Sequence, residues 1–439
     1  MSTTETTRTT SPTSVGANRV LTLSTIAFTL MFAVWLMFGI LGKPIQAEFG
    51  LSNLQLSWIS AVAVLNGSLW RLPAGILADR FGGKKIMVIL LLAGAVFSYL
   101  VSLAASYEML LVLAFLVGFV GNSFSSGIAW NSAWFPAERK GFALGVFGAG
   151  NVGASVTKFI GPPVIAATAG TTVFFGLQGG WRLIPTFYAV LLLVCAALVW
   201  WLAPAQDRMP GRSQPLGAML RPLSDIRVWR FSLYYVIAFG AYVAYAAILP
   251  GHYMDSFGLD LTTAGLLTAT FIFPASLLRP LGGWLSDVWG ARVAMYATFF
   301  TMIVALAVLS TPSGRGKSGP YGLPLWLVVA LIFVVGCAMG VAKAAVFKHI
   351  PTYFPDNVGS VGGLVGMLGG LGGFFLPPLF AYLTVITGVA STPFFVLLAL
   401  TIVALIWMHM VITHMDEKLP GRPDLVEVPP EVRGSRSGS

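Results

Sequence analysis

The sequence predicts an all-α integral membrane protein with twelve membrane-spanning helices in two six-helix halves. Three observations lead to this fold class. Of the 439 residues, 56% are apolar and only 10% are charged, whereas a soluble protein carries about 25% charged residues. Apolar runs of about 20 residues, the length that crosses a bilayer, recur twelve times. A polar linker and a repeated motif divide these runs into two sets of six.

Each apolar run is predicted to form one transmembrane helix. The runs are 20–42, 56–79, 86–105, 109–134, 141–167, 183–203, 229–252, 262–287, 291–311, 324–350, 358–386 and 392–413. The N-terminal half is therefore 20–203 and the C-terminal half is 229–413, with a basic cytoplasmic linker at 204–228. We expect cytoplasmic tails at 1–19 and 414–439. The first is expected to be disordered, because it is rich in Ser and Thr and lacks the apolar core of a signal peptide.

The positions of Lys and Arg predict the orientation, since cytoplasmic loops carry an excess of both. With the N-terminus inside, 18 of the 26 lie in tails, cytoplasmic loops or the cytoplasmic ends of spans, four in outer loops and four deeper within spans. Both termini are therefore expected in the cytoplasm. The cytoplasmic (inner) membrane is what the resemblance described below implies. Topology also accounts for the net charge of +10, so no nucleic-acid partner is expected. We expect the lipid-embedded chain to be a monomer.

The sequence gives little support to functional classes other than transport. Cys195 and Cys337 both lie in apolar runs, which excludes a disulfide framework or a cysteine zinc site. A membrane enzyme or sensor needs a catalytic cluster or a soluble domain, and the linker and the C-terminal tail are too short for one. A channel would not need the repeat described next. We therefore expect no enzymatic activity, no cofactor and no metal.

A motif recurs at the same place in each half. Arg71 begins RLPAGILADRFGGKK and Arg279 begins RPLGGWLSDVWGAR; both contain Arg-x3-Gly-x-Leu-x-Asp-x2-Gly, offset by 208 residues. Parallel repeats related by an axis along the membrane normal are one transporter architecture. Over about residues 20–413 the sequence resembles the major facilitator superfamily. The resemblance implies twelve helices around a central cavity that opens alternately to each side.

The repeated motif also predicts a gating latch. The residues that fit the superfamily's loop motif are Gly75, Asp79, Arg80, Gly82 and Lys84 in the first half, and Gly283, Asp287, Gly290 and Arg292 in the second. A carboxylate at a helix end can cap a neighbouring helix N-terminus or pair with Arg. The alternative is a basic loop that only sets topology. The latch is favoured because topology requires neither the Asp nor the Gly spacing.

Two arginines are predicted in the middle of the membrane. Arg71 lies eight residues before Asp79, or about 12 Å deep, and Arg279 lies at the matching depth. A mid-membrane Arg costs at least about 2.5–3.5 kcal/mol and usually faces a cavity or a partner. None of the 16 Asp and Glu lies mid-span, so an anionic substrate is the expected counter-ion. The alternative is that each Arg binds helix carbonyls and waters.

Two glycine-rich spans carry a narrower resemblance. GAGNVGAS at 148–155 resembles the nitrate signature of the nitrate/nitrite porter family (NarK type), and GMLGGLGG at 366–373 resembles its second copy. Such glycines let helices pack closely, which is the simpler reading, and they also suit helix movement and close approach to a small ligand. The resemblance implies transport of nitrate and nitrite. Another small anion is the alternative.

The resemblance implies that Arg71 and Arg279 clamp the anion between the halves, while Asn151 donates an amide hydrogen bond. A planar guanidinium offers parallel donors to a planar anion, and aromatic faces can sandwich it. The predicted substrate site comprises Arg71, Arg279, Asn151, Tyr235, Phe239, Phe32, Phe124, Gly150 and Gly370. Phe32 and Phe124 match the family's pocket less closely than the other two aromatics. For any single aromatic, lipid contact or core packing is the alternative.

Lys158 and Lys343 are candidates for coupling. Both lie within predicted spans, in segments that resemble the subgroup usually taken as nitrate/proton symporters. No mid-span carboxylate is present to carry a proton, so one of these lysines would have to; the alternative is that either snorkels from a helix end. A strongly positive empty cavity instead favours exchange, because it opposes reorientation without an anion. The main hypothesis is nitrate/proton symport, with nitrate/nitrite antiport as the alternative.

Overall fold

The computed structural model describes residues 12–135, 137–172, 178–209, 215, 217, 224–311, 322–353 and 358–418. In this part of the chain, eleven helices are long and apolar enough to cross a membrane. They are numbered in chain order, and the number α5 is kept for the interrupted fifth helix described next. The eleven helices are α1 Val15–Phe49, α2 Asn53–Phe81, α3 Gly83–Ser102, α4 Tyr107–Trp134, α6 Gly180–Leu202, α7 Ile226–Phe257, α8 Leu261–Ser286, α9 Ala291–Leu309, α10 Leu325–Ile350, α11 Val361–Thr387 and α12 Thr392–Thr413.

The fifth predicted span is present as an interrupted helix. This α5 consists of Ala137–Ala149 and Gly153–Thr168, joined by a 3-10 turn at Gly150–Val152. Glycine lowers helix propensity by about 1 kcal/mol relative to alanine, and this segment contains the glycine-rich signature. With α5 included, the described residues form the twelve predicted helices.

Several helices extend beyond their predicted ends. The first helix begins at Pro12, so residues 12–19 are helical rather than part of a disordered tail; residues 1–11 lie outside the described residues. At the other end the last helix continues to Lys418, five residues past its predicted end, and 419–439 lie outside the described residues. α7 begins at Ile226, inside the predicted linker, with Asp225 accepting a hydrogen bond from the backbone N–H of Arg227 at 2.8 Å.

The two halves meet through pairs of closely packed helices. α2 packs against α11, α5 against α8, and α1 against α7. Glycine makes two of these contacts possible. A Cβ on Gly265 would lie 2.8 Å from the carbonyl oxygen of Lys158, and one on Gly39 would lie 2.7 Å from that of Ala246. These backbones therefore approach more closely than a side chain allows.

Interruptions of the helices cluster near the middle of the spans. They fall at Leu36–Met37 in α1, Trp70 in α2, Gly118–Asn122 in α4, Gly150–Val152 in α5, Val236–Gly240 in α7, where the turn is a π-turn, and Leu278 in α8. Irregular turns within helices often occur at functional sites, and such backbone is tolerated at membrane depth only where protein or water surrounds it. The clustering therefore marks the middle of the bundle as the candidate site.

The breaks in α2 and α8 have matching geometry. Trp70 has φ −87° and ψ 3°, and Leu278 has φ −82° and ψ 1°. After each break a second helical segment begins, Arg71–Phe81 in α2 and Arg279–Trp289 in α8. The sequence repeat is therefore also a backbone repeat, and it places each predicted arginine in the first turn of a new helical segment.

The α2–α3 loop is held by an aspartate of the linker. Asp207 accepts a hydrogen bond from the backbone N–H of Lys84 at 2.8 Å and from the indoles of Trp130 and Trp134 at 3.0 Å each. A carboxylate at this position satisfies a free N–H at the start of α3. This is the capping role that the sequence suggested for Asp79, which makes no hydrogen bond within the described part of the chain.

The glycines of the loop motif have a clear backbone requirement. Gly82 has φ +95° and Gly290 has φ +87°, a region that side chains with a Cβ rarely adopt. Each joins the end of one span to the start of the next. The side chain of Asp287, the second predicted latch carboxylate, lies outside the described residues.

Candidate functional site

Arg71 and Arg279 meet between the two halves. Their guanidinium carbons lie 5.4 and 5.5 Å from the centroid of the same ring, Phe124. Arg71 is fully buried and Arg279 is 7% exposed. The structure therefore brings the two predicted clamp residues to one place, at matching positions of the two broken helices.

Each arginine reaches across to a glycine carbonyl of the opposite half. Nη1 of Arg71 donates to the carbonyl of Gly366 in α11 at 3.0 Å, and Nη1 of Arg279 donates to that of Gly148 in α5 at 3.4 Å. Nε of Arg71 also donates to Gly67 at 2.9 Å. These three guanidinium nitrogens therefore bind helix carbonyls, which was the alternative interpretation of the mid-membrane arginines. Nη2 of Arg71, however, is buried without a hydrogen-bond partner.

Aromatic rings surround the guanidinium group of Arg71. Its Cζ lies 4.9 Å from the ring centroid of Phe239 and 5.2 Å from that of Trp35. Tyr235 stacks on Phe239 with centroids 5.1 Å apart and planes 8° apart, and Phe32 lies 6.5 Å from Phe239. The four predicted aromatic residues therefore belong to one cluster. Flat faces at this spacing stabilise a cation.

Several buried polar atoms of the predicted site residues and of Ser68 lack partners. Besides Nη2 of Arg71, they are both amide atoms of Asn151, the hydroxyl of Tyr235 and the hydroxyl of Ser68. Buried polar atoms are normally hydrogen-bonded, so each exception calls for an explanation. An anion bound here would supply an acceptor for the donors among these atoms, but not for Oδ1 of Asn151, which is itself an acceptor. Every described Asp and Glu lies in a loop or toward the end of a helix, so the site has no acidic neighbour among the described residues.

The glycine-rich helices approach the arginines at two particular glycines. A Cβ on Gly370 would lie 2.6 Å from Oγ of Ser68 and 3.4 Å from Nη1 of Arg71. A Cβ on Gly148 would lie 3.1 Å from Cζ of Arg279. Gly370 therefore lies beside Arg71, and Gly148 lies beside Arg279 in the other half.

Gly150, which the sequence placed in the site, faces a different neighbour. Its Cβ would meet Phe28 at 2.7 Å and Thr29 at 2.9 Å, both in α1. The glycine of the signature that contacts an arginine is Gly148 rather than Gly150. Residues two positions apart do not share a helix face, so Gly148 and Gly150 meet different neighbours.

The two buried lysines occupy different surroundings. Nζ of Lys343 lies 3.2 Å from the ring centroid of Tyr242 and 5.7 Å from that of Phe239, and it donates to the carbonyl of Ala275 at 3.1 Å. Nζ of Lys158 donates to the carbonyl of Leu36, at the break in α1, at 3.2 Å. Lys343 therefore shares a ring with Arg71, whereas Lys158 stabilises a helix break.

Comparison with known proteins identifies the family. The model of the Major Facilitator Superfamily matches residues 23–234 and 230–435. The chain is 60% identical over 407 residues to a Thermus thermophilus protein named "Probable nitrate/nitrite antiporter NarK1", covering 90% of this chain and 92% of that one. This chain belongs to the nitrate/nitrite porter family of the major facilitator superfamily.

Further relatives agree with this assignment. A Staphylococcus epidermidis protein named "Probable nitrate transporter NarT" is 31% identical, covering 91% of this chain and 96% of that one. A Bacillus subtilis protein named "Nitrite extrusion protein" is 30% identical, covering 89% and 94%. The family consists of multi-pass membrane transporters, and the resemblance found in the two glycine-rich signatures is confirmed.

Solved structures show the same fold at low identity. A bacterial homologue of the human lysosomal transporter Spinster, inward-facing and occupied, superposes with a TM-score of 0.68 at 15% identity, covering 91% of this chain and 97% of that one. The transporter FucP in the outward conformation gives 0.63 at 16%, covering 89% and 98%. The predicted fold of two six-helix halves is therefore confirmed.

In this porter a cavity of about 250 Å³ opens at the end of the bundle where α1 meets α2. We call it the vestibule; it is lined by Lys43, Ser60, His252, Asp255 and Phe380, among others. A void of about 10 Å³, lined by Trp35, Val64, Val243 and Gly373, shares Gly39, Ser60 and Pro377 with the vestibule. Trp35 therefore stands between the vestibule and Arg71.

One ion pair joins the halves of the porter at the vestibule. Nζ of Lys43 in α1 lies 2.8 and 2.9 Å from the two carboxylate oxygens of Asp255 in α7. The other ion pairs among the described residues, Arg182–Glu48 and Arg227–Asp225, each stay within one half. Lys43–Asp255 must separate if the halves part at this end.

Sequence reasoning missed Trp35, Tyr242 and the Lys43–Asp255 pair. Tyr242 follows Tyr235 by seven residues and Phe239 by three, so the helical spacing would have placed it on the same face. Its hydroxyl contacts Oγ of Ser276 at 3.1 Å and donates to the carbonyl of Asn151 at 3.4 Å. Neither Trp35 nor the ion pair has a comparable signal, because each depends on contacts between distant segments.

Proposed function

We propose that this protein exchanges nitrate and nitrite across the cytoplasmic membrane by alternating access. The observation that carries the proposal is the convergence of Arg71 and Arg279, one from each half, around a buried guanidinium nitrogen without a partner. A single anion contacted by both arginines would connect the halves. The substrates named for the Thermus thermophilus relative support nitrate and nitrite as that anion.

The shape of the site favours a small planar anion. The stacked rings of Tyr235 and Phe239 present flat faces, and a guanidinium offers coplanar donors. Nitrate and nitrite are both planar and monovalent, and both accept hydrogen bonds in that plane. A tetrahedral anion of higher charge would need more donors and more room.

The charges of the site support exchange over a cycle in which the site reorients while it is empty. Arg71, Arg279 and Lys343 are buried together, and no described carboxylate neutralises them. An empty site would carry these charges through the low-dielectric middle of the protein, which is costly. A bound anion lowers that cost in both directions, so each reorientation requires an anion. The name of the Thermus thermophilus relative also supports antiport over symport.

The proposal includes orientation and gates. With both termini in the cytoplasm, the vestibule faces outward and the loop motif faces inward. The motif residues Gly75, Asp79, Arg80, Gly283, Asp287 and Arg292 then belong to the inner latch, in which Asp207 takes the capping role at the start of α3. Lys43 and Asp255 belong to the outer closure. The transport unit is a single chain in the lipid bilayer.

Counterflow into proteoliposomes tests exchange. Labelled nitrate uptake is measured into vesicles loaded with nitrite, nitrate, chloride or buffer, each with and without an inward proton gradient. Exchange requires internal nitrite or nitrate for rapid uptake, whatever the gradient. Gradient-driven uptake into vesicles without internal substrate would overturn antiport, and absence of uptake in every condition would overturn nitrate transport.

Nitrate/proton symport is the second candidate, and the position of Lys343 is the observation that favours it. Its ammonium contacts Tyr242 and shares the ring of Phe239 with Arg71, so its charge state would affect an anion there. If symport operates, Lys343→Ala should remove stimulation by the gradient. Lys158→Ala is the matched variant, because Lys158 is equally buried but contacts the break in α1.

A further inference from the structure

The sequence repeat extends three residues further than the arginines. Ser68-Leu69-Trp70-Arg71 in the first half corresponds to Ser276-Leu277-Leu278-Arg279 in the second, at the same offset of 208 residues. Each serine precedes its arginine by three positions and lies in the last turn before the helix break. Both serines are fully buried.

The two serines differ in what their hydroxyl groups contact. Oγ of Ser276 donates to the carbonyl of Ile272 at 2.8 Å and contacts the hydroxyl of Tyr242 at 3.1 Å. Oγ of Ser68 has no partner in the described structure. The repeat therefore contains one hydroxyl that the protein satisfies and one that it leaves free.

The free hydroxyl lies beside Arg71. A Cβ on Gly370 would meet Oγ of Ser68 at 2.6 Å and Nη1 of Arg71 at 3.4 Å, so both atoms face the same position of α11. Gly370 has no side chain that could act as an acceptor for either atom. Nη2 of the same arginine also lacks a partner. A hydroxyl without a partner and a guanidinium with one nitrogen that lacks an acceptor thus lie side by side.

We infer that Ser68 is a substrate ligand that donates a hydrogen bond to an oxygen of the anion held by Arg71. The inference rests on the proposed function and adds a donor that the family resemblance did not assign. A buried hydroxyl without an acceptor destabilises the empty site, and it becomes satisfied when the anion binds. Ser276 cannot take the equivalent role, because Ile272 and Tyr242 already occupy its hydroxyl.

The matched pair Ser68→Ala and Ser276→Ala tests the inference. Nitrate and nitrite dissociation constants are measured for the purified full-length chain, together with its melting temperature without anion. Ser68→Ala should weaken anion binding about tenfold, as expected for a lost hydrogen bond to a charged group. Its melting temperature without anion should stay the same or rise, because the hydroxyl has no bond to lose. Ser276→Ala should lower that melting temperature and change anion affinity less.

The outcomes separate this inference from the proposed function. Normal affinity in Ser68→Ala, or an equal loss in Ser276→Ala, would overturn the role of Ser68 while leaving the exchanger intact. A fall in the melting temperature of anion-free Ser68→Ala would show that the hydroxyl is already bonded, which also overturns it. If the wild-type chain binds neither nitrate nor nitrite, the proposed function fails and the inference fails with it.

Discussion

Arg71 and Arg279 occupy the same position in the two halves, yet they are held very differently. Arg71 makes hydrogen bonds of 2.9 and 3.0 Å and lies within 5.4 Å of three ring centroids. Arg279 makes one hydrogen bond of 3.4 Å and faces one ring, that of Phe124. The repeat reproduces the backbone position, whereas the opposing helices decide how firmly each side chain is fixed.

In the proposed exchange cycle, this difference would give the two arginines different parts. Arg71, held by two hydrogen bonds, would provide a fixed donor, while Arg279, held by one longer bond, would follow its half as the halves move. Both hydrogen bonds to glycine carbonyls cross between the halves. Reorientation must stretch them, and an anion oxygen can then accept the released N–H groups. The anion thereby stabilises one arrangement relative to another, which is what a substrate-driven change requires.

The largest expected effect comes from replacing each arginine with lysine. Arg71→Lys removes two protein hydrogen bonds and the planar fork, so nitrate affinity should fall roughly 100-fold. Arg279→Lys should lower nitrate affinity about tenfold, because the guanidinium group of Arg279 is held by one long hydrogen bond. Titration calorimetry on monodisperse protein measures both. Equal losses would contradict the distinction between a fixed and a mobile arginine, and normal binding in both would contradict the clamp.

Glycine substitutions sharpen the comparison with matched controls in each half. Gly370→Ala and Gly148→Ala place a methyl group against Arg71 and Arg279, respectively, so exchange should fall about tenfold, as overpacking costs about 1–3 kcal/mol. Gly366→Ala and Gly145→Ala are the controls, because a Cβ there meets nothing within 4 Å. Initial rates of counterflow measure the effect. Equal rates across all four variants would remove the special role of the arginine-facing glycines.

Asn151 tests an asymmetry between the two signatures. It occupies the fourth position of GAGNVGAS, where GMLGGLGG has Gly369. The Asn151 side chain is buried without a partner, so Asn151→Ala should weaken nitrate binding about fivefold or more through one lost hydrogen bond. Asn151→Asp adds a negative charge at nearly constant shape and should weaken binding further. A variant Asn151→Ala with wild-type affinity would show that the amide does not contact the anion.

The smallest expected effect concerns the ion pair between the halves. In a Cys195→Ala/Cys337→Ala background, Ser60→Cys places a thiol at the vestibule for an impermeant maleimide. Lys43→Ala should speed its labelling roughly two- to fivefold, since a partly exposed ion pair contributes about 0.2–1 kcal/mol. Glu48→Gln breaks the Arg182–Glu48 pair within one half and should leave labelling unchanged. Equal effects of the two substitutions would contradict an outer closure by Lys43 and Asp255.

The sequence by itself determined the fold and the central pair of charges. Span length and apolar composition are local properties, so twelve helices could be counted without any contact information. The offset of 208 residues related the halves, and the depth of Arg71 and Arg279 followed from the helical rise. The convergence of these arginines with Phe32, Phe124, Tyr235 and Phe239 agrees with the site that the family resemblance implied.

Only the tertiary structure decided which faces of the helices meet. The 3-10 turn at Gly150–Val152 and the π-turn at Val236–Gly240 interrupt α5 and α7, and the periodicity of the sequence predicted neither interruption. Gly148 rather than Gly150 contacts Arg279, because the two glycines are two positions apart and face different sides of α5. Lys343 and Lys158 look alike in the sequence, but helix packing gives them different neighbours. Such contacts between distant segments depend on how the helices are rotated, which no local pattern specifies.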